Sequence, residues 1–420
     1  MLKSMLTALG SPELRKKLLF TALILIVYRI GSFVPIPGIN RTALDQALNN
    51  RGSSLLDFLN LFSGGSLRRF SVFALGIMPY ITASIIIQLM TVVIPKLEEL
   101  QKEGESGQQK ITQYTRYFTV ALAAVQSVAY VLYFKSQGAF PVFSSGRLYV
   151  IVVSLTAGTT MVMWLGELIT QRGVGNGISL MIFAGIVASI PQGARGWVDL
   201  PPLSQIVVLV IAVGVVVGVV FINEGQRRIP IQYAKRVVGR RMTSGGSTYM
   251  PLRVNMAGVI PVIFAASIVI LPPTLAEFLG RGSFFTSVSN YLAPGTWYYI
   301  IFEALLIILF TYFYTAIIFN PVEQADNLKK YGGFIPGVRP GRPTAVYLDR
   351  VLTRLTLPGA IYLAIIAALP SIVFKYMPES NVFFGVLGGT SILIVVGVAL
   401  DTIRQMEAQM MMRNYEGFLR

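Results

Sequence analysis

The chain has 420 residues, 54% hydrophobic and only 13% charged, with a formal net charge of +16 and neither cysteine nor histidine. A soluble chain carries about 25% charged residues, so this composition excludes an ordinary soluble domain and makes lipid the main solvent. Without cysteine or histidine there are no disulfides, thiol nucleophiles or Cys-ligated metals, and the commonest general base and transition-metal ligand are missing.

Met1 to Leu9 lack the charged-then-apolar pattern and small-residue cleavage site of a leader peptide. The first apolar segment is therefore expected to stay as a membrane helix. About 20 apolar residues cross a bilayer core as a helix. On that measure the chain is predicted to be an all-α polytopic membrane protein with ten spans: Leu18–Val34, Phe70–Ile94, Tyr117–Phe134, Leu148–Ile169, Ile178–Ile190, Leu203–Ile222, Met256–Leu271, Tyr298–Phe319, Arg354–Val373 and Phe383–Leu400. The fifth is short and bounded by Gly177 and Pro191, so a buried or re-entrant piece is its alternative. Keeping it puts Arg15, Lys16 and Lys17, with most other basic residues, on the side of the N terminus. The positive-inside rule makes that side cytoplasmic and accounts for the net charge without nucleic acid. Both termini then lie there. Ten spans also permit two halves, residues 1–200 and 201–400, with a tail at 401–420. Five spans per half would make any structural repeat an inverted one.

Three connecting segments carry information. Ser53–Phe62 (SSLLDFLNLF) has the pattern of a half-helix too short to cross lipid, ended by Ser63, Gly64 and Gly65. It either folds back into a protein-lined cavity or lies as an amphipathic helix on the surface. The loop at about 223–254 holds Arg227, Arg228, Lys235, Arg236, Arg240, Arg241 and Arg253 against Glu224. Within it, Arg228–Val237 alternates as a hairpin strand does, with Ser244, Gly245 and Gly246 as the turn. The loop at about 320–353 sets Lys329, Lys330, Arg339, Arg342 and Arg350 among glycines and prolines. Topology explains the charge but not the length of these loops, so a docking surface is expected. Within the spans, Arg29 and Glu303 stand near the outer ends, within snorkelling reach. No carboxylate relay sits near midplane, which argues against an ion-driven transporter.

Several long strings resemble the SecY family: Ala74–Leu89 (ALGIMPYITASIIIQL), Arg172–Ile186 (RGVGNGISLMIFAGI), Glu224–Arg241 (EGQRRIPIQYAKRVVGRR) with Val254–Phe264 (VNMAGVIPVIF), Phe319–Gly341 (FNPVEQADNLKKYGGFIPGVRPG) and Gly388–Val396 (GGTSILIVV). They run through most of the chain. The resemblance implies two pseudo-symmetric inverted halves of five helices around an hourglass pore, with the fifth span a full helix. It implies a channel that carries unfolded secretory chains across the bacterial plasma membrane and releases transmembrane segments sideways into the bilayer. Neither enzymatic activity nor a cofactor is implied.

Carried over motif by motif, the family's aliphatic pore ring falls on Ile77, Ile81, Ile182, Ile186, Ile263 and Ile394. The i, i+4 spacing of the first two pairs puts each pair on one helix face, although isoleucines on membrane helices also commonly face lipid. The half-helix becomes a plug at about 53–65, including Ser53, Leu55, Leu56, Phe58, Leu59, Phe62, Gly64 and Gly65, with Ser63–Arg69 as its hinge. Gln88, Gln126 and Asn255 could hydrogen-bond across a lateral seam between helices 2 and 3 and helices 7 and 8, with packing and lipid-interface roles as alternatives. No GxxxxGK[ST] phosphate loop is present, so energy must come from outside. The resemblance implies the SecA ATPase or a translating ribosome on the basic loops. Arg339 and Arg342 are candidates for motor docking, and Arg240 and Arg241 for ribosomal RNA phosphate. SecE, SecG and signal peptides are the other expected partners. The competing readings are an accessory paralogue with few substrates and, from another class, a secondary solute transporter. The transporter calls for midplane polar groups and matching broken helices, which the chain lacks.

Overall fold

The computed structural model describes residues 12–37, 39–40, 44, 60, 63–136, 138–140, 144–233, 236–238, 241–243, 247–279, 291, 296–376 and 388–416. Its helices are α1 (Pro12–Gly31), α2 (Met78–Val93), α3 (Pro95–Lys102), α4 (Glu105–Ser136), α5 (Ser145–Arg172), α6 (Gly177–Val198), α7 (Pro202–Glu224), α8 (Ile260–Leu279), α9 (Trp297–Ile318), α10 (Pro321–Lys330), α11 (Arg342–Tyr376) and α12 (Gly389–Glu416). A helix lies in each of the ten apolar segments. Among the described residues, six helices are long and apolar enough to span a bilayer by length and composition, or seven if α2 and α3, bent by 98° to each other, count as one. The others fall short: the apolar stretch of α8 counts only as a short helix, Ile260–Val269, among the described residues. Helix α1 carries Arg15, Lys16 and Lys17 in its opening turns, α2 has 16 residues, and α12 turns charged at Asp401.

Two boundaries differ from expectation. The second span was predicted from Phe70, but residues 70–77 run as buried turns and helix starts only at Met78. Gly76 at φ +57° and Phe70 at φ +42° need backbone that a helix cannot supply. Such irregular backbone is tolerated at membrane depth where protein covers it. The fifth span is not cut at Pro191. Asn176 caps α6 by accepting hydrogen bonds from the Ile178 and Ser179 amides, and the helix runs on through Pro191 to Val198.

The chain is not purely α-helical. Strands β1 (Gln226–Tyr233), β2 (Arg236–Val238), β3 (Arg241–Thr243), β4 (Ser247–Arg253) and β5 (Gly333–Phe334) occupy the basic loops. Antiparallel β1 and β4 pair from Gln226↔Arg253 to Gln232↔Ser247, and β2 pairs with β3. In that second pair Val238 faces Arg241, while the expected turn at Ser244, Gly245 and Gly246 lies outside the described residues. β1 also pairs with β5 through Gln232↔Phe334, so one three-stranded sheet of order β4-β1-β5 joins both loops. Under it Ile229, Leu252, Phe319, Ile335, Leu348 and Leu352 form their own apolar cluster.

One large apolar core draws on nearly every long helix, while Leu19, Leu23, Ile26 and Ile30 of α1 and much of α7 stay exposed, as lipid-facing stripes do. Helix α2 packs on α8, α8 on α12 and α12 on α6, and α5 lies against both α6 and α2. These five helices close a circuit. Glycine lets the layers approach: a Cβ on Gly158 of α5 would overlap the backbone carbonyl of Val72. Gly158→Ala is therefore expected to cost about 1–3 kcal/mol, read as a lowered midpoint of thermal unfolding in detergent. An unchanged midpoint would mean that the 70–77 turns can shift freely.

Candidate functional site

The six isoleucines come from four helices in that circuit. Ile77 and Ile81 belong to the start of α2, Ile182 and Ile186 to α6, Ile263 to α8 and Ile394 to α12. All six are at most 5% exposed and all belong to the one central apolar cluster. Ile77 occupies the N-cap of α2, and Pro79 just inside fixes where the helix begins. No cluster of acidic side chains able to hold a metal exists among the described residues.

Of the plug residues, Ser53, Leu55, Leu56, Phe58, Leu59 and Phe62 lie outside the described residues. Gly64 and Gly65 are described, with φ of +64° and +82°. The segment around them is hydrogen-bonded to its own backbone and side chains. The Gly65 amide donates to the Asn60 carbonyl at 2.8 Å, the Arg68 amide to Asn60 Oδ1 at 3.0 Å and the Leu67 amide to Ser63 Oγ at 3.1 Å. Arg29 does not snorkel freely: its Nη1 donates to the Gly64 carbonyl at 2.7 Å. Its guanidinium and that of Arg69 both lie over the Phe33 ring, at 5.4 and 4.0 Å. A Cβ on Gly64 would sit 3.1 Å from Gly185 Cα, which places this knot directly on α6 between Ile182 and Ile186. Glu303 departs from expectation too, since it is 3% exposed inside the bundle.

The three amides separate. Gln88 of α2 lies beside the hydroxyl of Tyr314 on α9, and Tyr314 packs edge-on against Phe264 of α8. This contact crosses from the helices before residue 200 to those after it. Gln126 is half-buried on α4, with no cross-seam partner among the described residues. Asn255 bonds elsewhere: its Nδ2 donates to Asn223 Oδ1 at 3.0 Å and to the Gly258 carbonyl at 3.1 Å. It ties the end of α7 to the approach of α8.

On the basic loops, Arg339 and Arg342 are exposed. Arg339 stands in a turn bounded by Gly337 (φ +82°) and Gly341 (φ +98°). The turn is fixed from below by the Val338 amide bonding to the Ile335 carbonyl, and by Thr344 Oγ1 donating to the Arg339 carbonyl at 2.8 Å. Arg241 begins β3, and Arg240 lies outside the described residues. Sequence reasoning missed Arg404, which joins α12 to the end of α7 (2.6 Å to the Asn223 carbonyl, 2.9 Å to Glu224 Oε1). The signal was there in the Asp401–Arg404 spacing of i, i+3, but a tail boundary at residue 400 hid it.

The family model for SecY matches residues 71–403. The translocase subunit SecY of Mycobacterium bovis is 49% identical over 443 aligned residues, and that of Streptomyces galbus 50% over 444, each alignment covering all of both chains. The chain belongs to the SecY family. It is a multi-pass membrane protein and a protein-conducting channel subunit, not an enzyme. In fold it matches a solved protein-conducting channel with a TM-score of 0.68 at 18% identity, over 95% of this chain and 93% of that one. The Sec61 channel of a canine ribosome–channel complex gives 0.65 at 18% identity over the same shares. The stretch shared with the SecY family holds all six isoleucines, both basic loops and most of α12.

Proposed function

We propose that unfolded secretory polypeptides pass along the axis where α2, α6, α8 and α12 converge, and that hydrophobic helices leave sideways between α2 and α4 on one side and α8 and α9 on the other. The observation that carries this reading is the burial of six isoleucines from four helices in one cluster. A ring of branched aliphatics can part around an extended peptide, yet offers no group to replace the hydration of an ion. The approach of Gln88 to Tyr314 supports the seam, because a single polar contact of about 1 kcal/mol is a closure that a signal helix can displace.

Ten spans in two inverted halves, both termini in the cytoplasm and a plasma-membrane location complete the proposal, with 53–65 as a plug on the outer side of the ring. SecE and SecG would be the membrane partners. The strand pairing of β1 with β5 supports a single docking surface for the SecA ATPase or a ribosome, since it holds both basic loops in one rigid sheet. The test is reconstitution of the channel with SecE and SecG in vesicles, with SecA and a secretory precursor. ATP-dependent, protease-protected product is expected, and its absence with an active motor would overturn the reading.

A further inference from the structure

The sheet that joins the basic loops stands on a polar clasp, and the clasp leads to two ring isoleucines. The β1–β4 hairpin grows directly from the end of α7 and returns directly toward α8. Its base is closed by the Val254 amide bonding to the Gly225 carbonyl at 2.9 Å. Arg404 of α12 grips that base from the side. Its Nη2 donates to the Asn223 carbonyl at 2.6 Å and to Glu224 Oε1 at 2.9 Å, and its Nη1 lies 3.6 Å from Asp401 Oδ1. Charge-assisted bonds to a carbonyl and a carboxylate are the strong kind, and Asp401 adds a longer ion pair. With the side chain only 21% exposed, they are not fully screened.

The second half of the connection is steric. Asn255, 6% exposed, bonds both Asn223 and the Gly258 carbonyl, so the hairpin base and the lead-in to α8 move together. Gly258 has φ +65°, and a Cβ on it would come 3.7 Å from Asp401 Oδ2. One residue on, Val259 seats in a notch of α12 so close that a Cβ on Gly397 would overlap its side chain. Val259 is one turn before Ile263, and Gly397 is one turn after Ile394. A tight contact between packed helices transmits displacement with little loss, because protein interiors are nearly incompressible. Both ring residues of the later helices therefore sit one helical turn from a contact that the clasp holds in register.

We infer that Arg404 is a positioning residue for transport, coupling load on the docking hairpin to the ring residues Ile263 and Ile394 through the Val259–Gly397 contact. The inference rests on the docking role proposed for the basic loops. It goes beyond that role by naming how motion there reaches the pore. A purely capping Arg404 would hold the end of α7 without affecting how efficiently motor work becomes transport.

The experiment compares wild-type, Arg404→Gln, Arg404→Lys and Arg339→Glu channels in vesicles with SecA and a precursor. It measures SecA binding, ATP hydrolysed and protease-protected product. Arg404→Gln is expected to bind SecA normally while product per ATP falls by about fivefold or more. Arg404→Lys, which keeps the charge and one donor to the Asn223 carbonyl, is expected to recover part of the loss. Wild-type product per ATP in Arg404→Gln, with Arg339→Glu blocked, would overturn the inference and leave the docking reading standing. Parallel loss of SecA binding and product in both Arg404 variants would also overturn it, by showing a structural role. Normal transport by Arg339→Glu would instead sink the docking reading, and the inference with it.

Discussion

Replacing Ile81 or Ile263 with Asn is expected to raise the ion conductance of the idle channel by about 10- to 100-fold. Both side chains are almost fully buried in the central cluster, on helices α2 and α8 that pack against each other. Asparagine is smaller, which leaves room for water, and brings an amide that must be satisfied; leaving it dry costs about 1–3 kcal/mol. Water drawn in to satisfy it gives a passing ion part of its missing hydration. Each 1.4 kcal/mol taken from the barrier is worth about tenfold in flux. The same penalty falls on the closed packing more than on a hydrated open state, so defective signal sequences should be accepted more readily. Single-channel or vesicle-leak recordings check the first effect, and export of a precursor with a crippled signal checks the second. Ile→Val at the same positions keeps the surface apolar and should leave conductance close to wild type. Unchanged conductance in both Asn variants would remove these isoleucines from the pore.

Arg339→Glu should abolish motor-driven export while leaving the channel folded and inserted. The side chain is exposed at the tip of a turn whose shape depends on Gly337, Gly341 and the Thr344 bond to the backbone carbonyl of residue 339. None of these needs a guanidinium. A charge-assisted bond to an acidic partner contributes about 1.5–3 kcal/mol. Reversal loses that and adds like-charge repulsion, so binding or coupling should fall by about 100-fold or more. Protease-protected product in the reconstituted system is the measurement, with thermal unfolding as the control for folding. Normal product would take Arg339 out of the docking surface. Arg342→Glu tests the neighbouring charge in the same way. A milder loss is expected there, because that residue opens α11 instead of standing at the tip of the turn.

Much of the architecture follows from local chemistry. Long apolar runs must become helices in lipid, because a helix satisfies its own backbone groups, and each predicted segment contains one. The basic loops and the hairpin pattern of 228–237 were legible for the same reason: charge and period-two alternation are properties of neighbours along the chain. Boundaries were less so. Hydropathy cannot tell that Phe70–Ile77 runs as buried turns, since protein-covered coil is as apolar as helix. Nor could it tell that α6 would continue through Pro191. The pairing of Val238 with Arg241 was not legible either, because strand register depends on partners that local alternation does not name.

What the sequence determined by itself was the solvent of this protein, its helical character and the absence of cysteine and histidine chemistry. Membership of the SecY family was written in its motifs as well. Only the tertiary structure decided that six isoleucines far apart in the chain share one core. It also decided that two loops about a hundred residues apart form one sheet, that Asn255 bonds Asn223 and the Gly258 carbonyl, and that Arg404 and Arg29 hold backbone carbonyls. The physical reason is the same each time. Hydropathy and helix formation depend on residues within a turn or two, whereas burial, strand partners and the acceptor that a guanidinium finds depend on which distant segment packing brings within a few ångströms.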